Sequence, residues 1–397
     1  MARKNILLSY ILAFSKNSWF WMGIWIFYYL RFTNYAGIGI LETILIVTIT
    51  LAEIPTGAVA DLLGKKKTLI LAFFLETAGG LMMAAAPNFQ ILALSIFVLG
   101  IGAAFCSGTL EALVFDSLKE EGKEDLYDKK ISNISTISLI SPAVCGIFGG
   151  FMYKVNPSLP FYANSVGYFL GLIAAFFLIE PNIDTEIFSF KNFLNQSSRG
   201  FKELFKSIDV KKQTILLQSI GFFVVISSEM LDSFLGVEFG FDEVQLGILW
   251  SAMYIISALA SQMTPIIKKV FKGNLSIIFI GVLMSITLCI SPTIGMAIGG
   301  LSLALRLSLQ GIFWNLASIT INNNTQSNLR ATTLSTFNMI KNVPYVLTAF
   351  FIGSFADRFS AKNIALYLGV ILIVFILFQL KPSNKSENPE VIQPHSP

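Results

Sequence analysis

Apolar runs long enough to cross a lipid bilayer recur from one end of this chain to the other, and few folds accommodate that. A helix needs about 20 mainly apolar residues to span the hydrocarbon, whereas barrel strands would show short alternating runs, which are absent here. We read twelve runs, at approximately 6–30, 36–60, 68–87, 90–115, 132–153, 160–180, 213–237, 244–267, 275–293, 295–320, 334–355 and 362–380. Backbone polar groups in hydrocarbon must be satisfied within their own segment, so the runs are expected to be helices. A composition of 54% hydrophobic and only 13% charged residues excludes an ordinary soluble domain. The expected fold class is an all-α membrane protein with twelve transmembrane helices.

Basic residues set the expected orientation. With a cytosolic N-terminus, 21 of the 28 Lys and Arg residues fall in inner segments, among them Lys65, Lys66, Lys67, Lys129, Lys130, Lys268 and Lys269. Only Arg31, Lys154, Arg358 and Lys362 fall in outer ones, and Lys16, Arg306 and Lys341 lie inside runs. Both termini are therefore expected in the cytosol, in a cell-membrane protein. The net charge of +4 follows from this asymmetry and implies no nucleic-acid partner.

The opening Met1-Ala2-Arg3-Lys4 imitates a secretory signal, but its apolar run continues to about Leu30 without a small-residue cleavage pattern, so it reads as the first span. Cys106, Cys145 and Cys289 sit within runs at unrelated spacing and suit neither a disulfide framework nor a metal site. The sole histidine, His395, lies in a polar, proline-rich tail over 382–397 that reads as disordered. No nucleophile, base and metal constellation is visible, so neither an enzyme nor a cofactor is expected. The longest polar interruption, 181–212, separates an N-terminal half (1–180) from a C-terminal half (213–381). Within it Phe190, Phe193, Leu194, Phe201, Leu204 and Phe205 recur at helical spacing. That pattern reads either as an amphipathic helix on the inner leaflet, interrupted at Gly200, or as a solvated linker.

Between the second and third runs stands Gly57-Ala58-Val59-Ala60-Asp61-Leu62-Leu63-Gly64-Lys65-Lys66-Lys67. Gly57 would let a neighbouring helix approach closely, and Asp61 could meet the positive N-terminus of another helix. Gly64 permits the positive φ that ends a helix, and the lysines hold the loop on the inner side. The stretch resembles the loop signature of the major facilitator superfamily of secondary transporters, G-x-x-x-D-x-x-G-[RK]-[RK]-[RK]. The resemblance implies two pseudo-symmetric six-helix bundles working by alternating access, with Gly57, Asp61, Gly64 and Lys65 as a gating motif. Gly100-Ile101-Gly102-Ala103-Ala104 is similar to the end of a further family motif whose arginine would fall at Ile96 and is absent. Ser141-Pro142-Ala143-Val144-Cys145-Gly146 with Gly149-Gly150 resembles a blurred antiporter motif. Arg330-Ala331-Thr332-Thr333-Leu334-Ser335 resembles a run common in drug-exporter-like members. Pro142 and Pro344 occupy corresponding places in the fifth and eleventh runs, in keeping with a duplicated architecture. Gly353-Ser354-Phe355-Ala356-Asp357-Arg358 echoes the signature but falls on the outer side by parity.

Ionisable residues inside the hydrocarbon are costly and usually functional. Nine occur: Lys16, Glu42, Glu53, Glu76, Glu111, Glu229, Asp232, Arg306 and Lys341. The resemblance implies a cavity lined by helices one, four, seven and ten, which carry Lys16, Glu111, Glu229, Asp232 and Arg306. Glu229 and Asp232, three apart, are expected to share a helical face, and Arg306 can pair with either. Two adjacent carboxylates in a low dielectric should not both ionise, which suits proton coupling. A structural ion pair or hydrated headgroup position is the alternative. Lys16 reads as a substrate contact or as a lysine reaching to the inner surface. Gln310 and Trp314 follow Arg306 at spacings of four and suggest an aromatic cavity wall for a planar or cationic compound. The expected function is proton-driven export of a small amphiphilic compound by a monomer in the bilayer. A uniporter or symporter for a polar metabolite, and a transport-inactive scaffold or lipid-moving protein, remain the alternatives.

Overall fold

The computed structural model describes residues 2–181, 190–326 and 329–380, and within them leaves out the side chains of 54–62, 190–194, 331 and 380. The tail at 382–397 lies outside the described residues. Among the described residues, eleven helical stretches are long and apolar enough to cross a membrane. The twelfth apolar run, the first in the chain, is broken: α1 (Ala2–Lys16) and α2 (Trp25–Tyr29) flank an irregular stretch. Its cause is local. Asn17 Nδ2 donates to Ala13 O and Ser18 Oγ to Ser15 O, so these side chains compete for the carbonyls at the end of α1. Gly23 then takes φ +80 and lies so close to the backbone of Leu246 and Gly247 that a Cβ there would clash.

The second and third spans are α3 (Tyr35–Leu63) and α4 (Lys65–Ala84). The fourth is bent at Gly108, φ +72, between α5 (Phe89–Cys106) and α6 (Thr109–Lys119). Then follow α7 (Tyr127–Val155), α8 (Leu159–Phe176) and the connecting α9 (Phe190–Leu204). The seventh span joins α10 (Ile208–Ile226) to α11 (Asp232–Glu238) through a π turn over Ser227–Leu231. The eighth comprises α12 (Glu243–Ser261) and α13 (Thr264–Val270); the ninth and tenth are α14 (Asn274–Cys289) and α15 (Met296–Asn324). The eleventh is split at Asn342, before Pro344, into α16 (Arg330–Lys341) and α17 (Val343–Phe359), and α18 (Ala361–Leu380) completes the bundle.

The first six spans pack chiefly through α4 against α5 and α8, and the last six through α12 against α15 and α14 against α18. The outward faces carry Phe74, Phe97, Phe148, Phe169, Ile255, Leu301 and Phe351, all exposed, as a lipid-facing surface requires. α9 does not end at Gly200. The helix continues through it, and Gly200 lets α9 approach Thr332 and Thr336 of α16 while Leu204 is buried. The interruption expected at Gly200 is therefore a close helix contact.

Among the described residues, contacts between the first and last six spans concentrate at the end away from the basic loops. There Gly39 abuts Ala349, Gly353 abuts Tyr35, and Gly150 lies against Glu243 and Val244. Both oxygens of Asp357 accept from the N-terminal amides of α3, Tyr35 N and Ala36 N, at 2.9 Å each. The carboxylate thus caps the positive end of a helix in the other group of spans. Asp242 N-caps α12 and reaches Lys154 Nζ of α7 at 3.3 Å. Its carboxyl is held below the ordinary aspartate range, first by the Gln245 backbone N–H and then by Lys154. At the opposite end Ser107, Glu111, Ser132, Asn133, Thr136 and Gln262 are exposed. The bundle is thus closed at one end and, among the described residues, open at the end of the basic loops.

A side chain at Gly353 should wedge the closed end apart. Overpacking of about 1–3 kcal/mol would lower the closed fraction roughly tenfold. Cysteines replacing Lys154 and Asp242, in a chain with Cys106, Cys145 and Cys289 changed to serine, should be joined readily by a short bifunctional thiol reagent, and Gly353→Leu should suppress that reaction. Unchanged cross-linking would show that this seam does not hold the end shut.

Candidate functional site

The breaks in the first and seventh spans lie around one cavity of about 420 Å³. Such breaks free backbone and redirect side chains, which is why discontinuous helices recur at transport sites. One wall comes from the irregular stretch after α1: Lys16, Trp19, Trp21 and Trp25. Trp19 and Trp21 stack with ring centroids 5.3 Å apart, and Trp19 Nε1 donates to Lys16 O. Glu42 of α3, Glu76 of α4 and Asn164 and Tyr168 of α8 complete that side. The facing wall carries Ser228 and Glu229 on the π turn, Trp250 and Tyr254 on α12, and Gln310 on α15. The lining is therefore aromatic with a few charges.

Several expected site residues reach this cavity and several do not. Lys16 lines it and feels the charges of Glu76 and Glu111, with the buried Cys106 thiol beside it. Glu111 is exposed in the first turn of α6, outside the lining. Gln310 lines the cavity; Trp314 stands apart, with Lys341 Nζ over its ring at 4.4 Å from the centroid. Successive steps of four along a helix drift by about 40° each, so Arg306, Gln310 and Trp314 do not keep one face.

Glu229 and Asp232 are not partners. The π turn inserts a wider loop of backbone between them and rotates the residues that follow. Glu229 is exposed to the cavity, whereas Asp232 is buried. Asp232 Oδ1 accepts from Arg306 Nε at 2.7 Å and from Ser227 Oγ at 2.8 Å, and Arg306 Nη1 donates to Thr287 O. Both side chains of the ion pair are almost wholly inaccessible, at 0% and 3%. This buried ion pair ties α11, α14 and α15 together.

Glu42 was the residue the spacing concealed. It is buried beside the contact of α3 with α17, lines the cavity, and is close enough to Glu229 for the two charges to interact. Its sequence signal was only that of an isolated acid in an apolar run.

Of the loop motif, Gly57 and Asp61 fall where side chains lie outside the described residues. Gly64 has φ +88, and its lack of a side chain admits Glu180, whose oxygens accept from Lys65 N and Lys66 N at 2.6 and 2.7 Å. Lys65 also pairs with Asp116 of α6. These contacts stay within the first six spans. No group of three or more His, Cys, Asp or Glu side chains suited to a metal ion occurs among the described residues.

The sequence profile described as Major Facilitator Superfamily matches residues 6–347. An uncharacterised MFS-type transporter, YxaM of Bacillus subtilis (strain 168), is 21% identical over 382 residues, 93% of each chain. The multidrug resistance protein MdtL of Shewanella sp. (strain ANA-3) is 23% identical over 225 residues, 56% of this chain and 54% of that one. In structure, the nucleoside transporter NupG superposes with a TM-score of 0.79 at 16% identity, covering 96% of this chain and 99% of the other, a likeness of fold. With its multi-pass helical bundle, its central cavity between two groups of six spans and this match, the chain belongs to the Major Facilitator Superfamily.

Proposed function

We propose that this transporter exports a small amphiphilic cation in exchange for protons, the two six-span halves rocking about the central cavity. The observation that carries this reading is the cavity lining. Trp19, Trp21, Trp25 and Trp250 line the cavity, and an aromatic ring holding a desolvated cation contributes up to about 2 kcal/mol. Glu42 and Glu229 supply acidic groups on the two walls, while Glu76 is opposed by Lys16. The resemblance to MdtL, named as a multidrug resistance protein, points the same way. Lys16, Asn164 and Gln310 favour a second reading, import or exchange of a polar metabolite.

Proteoliposomes with an imposed pH gradient separate the two. A lipophilic cationic dye should be driven against its gradient, and a nucleoside should not. Movement of the nucleoside alone would establish the second reading.

The export reading places both termini, the 181–212 linker and the open end on the cytosolic side of the cell membrane, in a protein acting as a monomer. Cysteines at Lys123 and Lys268 should then resist an impermeant thiol reagent added outside intact cells, whereas one at Asn156 should label. Labelling of Lys123→Cys from outside would reverse the orientation and with it the direction of export.

A further inference from the structure

The carboxylates that face each other across the cavity belong to different halves, and one of them is set into the seam that must part when the closed end opens. Glu42 lies one turn beyond Gly39, which abuts Ala349, and next to Thr43, whose hydroxyl lies 3.4 Å from Val346 O of α17. Glu42 is buried at 8% exposure, whereas Glu229 is open to the cavity. Tyr345 of α17 interacts electrostatically with both, and its hydroxyl is buried without a hydrogen-bond partner among the described residues. We propose that Glu42 and Glu229 form a proton-carrying pair across the seam, with the Tyr345 hydroxyl between them, and that their shared charge state sets whether the closed end stays shut. This assignment rests on the proton-coupled reading and replaces Asp232 with Glu42 as the partner of Glu229.

The remaining groups around the pair define its surroundings. Glu42 is also faced by Tyr29 of α2. Glu229 is faced by Lys341 of α16 and Tyr254 of α12, and its neighbour Ser228 donates to it at 3.4 Å. Lys341 lessens the charge of Glu229 without cancelling its repulsion of Glu42, beside which no cation stands among the described residues.

With both acids ionised, the two halves repel at the seam and the closed end is favoured to open. A proton from outside water then binds the Glu42 carboxylate, giving the neutral acid, and the seam can close. The proton next passes to the Glu229 carboxylate, leaving Glu42 ionised and Glu229 neutral, with one negative charge still shared by the pair. Release from Glu229 to cavity water restores both carboxylates. Each cycle carries one proton from the closed end to the open end, opposite to exported substrate. Closure therefore binds a proton, and the closed-to-open ratio falls as pH rises.

The test is the pH dependence of short-range spin–spin broadening between nitroxide labels on cysteines at Lys154 and Asp242, a readout that does not depend on thiolate reactivity, in the otherwise cysteine-free chain reconstituted in liposomes. In the parent protein the closed-to-open ratio should fall as pH rises, by up to about tenfold per pH unit for one linked proton. Glu42→Gln should leave the end closed at every pH, and Glu42→Asp should restore the response. Should Glu42→Gln fail to reach the membrane, Glu229→Gln reads the same pair from the other half and should likewise flatten the profile. A parent-like pH profile in Glu42→Gln, or in Glu229→Gln where that is the variant obtained, overturns the pair while leaving proton-driven export intact. A flat profile in the parent protein overturns both.

Discussion

Glu229→Gln is expected to abolish accumulation of a cationic dye against its gradient while leaving downhill exchange. Glu229 is the carboxylate most open to the cavity, and the π turn that presents it breaks the regular ladder of the seventh span. A proton taken up there can be discharged to cavity water. Glutamine keeps the shape and the hydrogen-bonding reach but cannot carry a proton. If one proton is exchanged per substrate, each unit of pH difference sustains about a tenfold concentration ratio. In the variant that ratio should collapse to unity at any imposed gradient, with counterflow of labelled dye preserved. Undiminished accumulation by Glu229→Gln would place the coupling proton on other groups. Loss of counterflow as well would mean that Glu229 chiefly holds the substrate.

The architecture was largely legible in the sequence because hydrocarbon imposes strict demands. Runs of apolar residues, lysines confined to one set of loops and the Gly64-Lys65-Lys66-Lys67 turn leave few alternatives to a helical bundle. The interior was less legible because it depends on where helices stop being regular. Counting three residues from Glu229 to Asp232 assumes an α-helix, and the π turn voids that assumption. The broken first span reads as one continuous apolar run, since its tryptophans and glycine are compatible with hydrocarbon whether or not they are helical. Asn17-Ser18 followed by Gly23 was the available hint of that break. Glu42 could not be paired with Glu229 from spacing at all. Their proximity is tertiary, arising where α3 packs against the π turn of the seventh span. Asp357 is a related case: its echo of the loop signature, on the side opposite the lysines, marks a real helix cap between the halves.

Arg306→Met should be the most destabilising of these substitutions. Arg306 is buried at 1% exposure among Asp232, Thr287 and the packed faces of α11, α14 and α15, and Nη2 finds no partner among the described residues. The pair is therefore only partly repaid for its desolvation, and removing the cation alone leaves Asp232 buried without its charge partner. Breaking a buried pair in this way costs about 3–5 kcal/mol, whereas replacing both members with apolar residues of similar volume is often neutral or stabilising. Arg306→Met should accordingly lower the midpoint of thermal unfolding in detergent sharply, and Asp232→Leu/Arg306→Met should recover most of the loss. Because neither side chain lines the cavity, the recovered double variant should still concentrate the cationic dye under a pH gradient. A double variant that folds as stably as the parent yet cannot accumulate dye would return Asp232 and Arg306 to the coupling machinery.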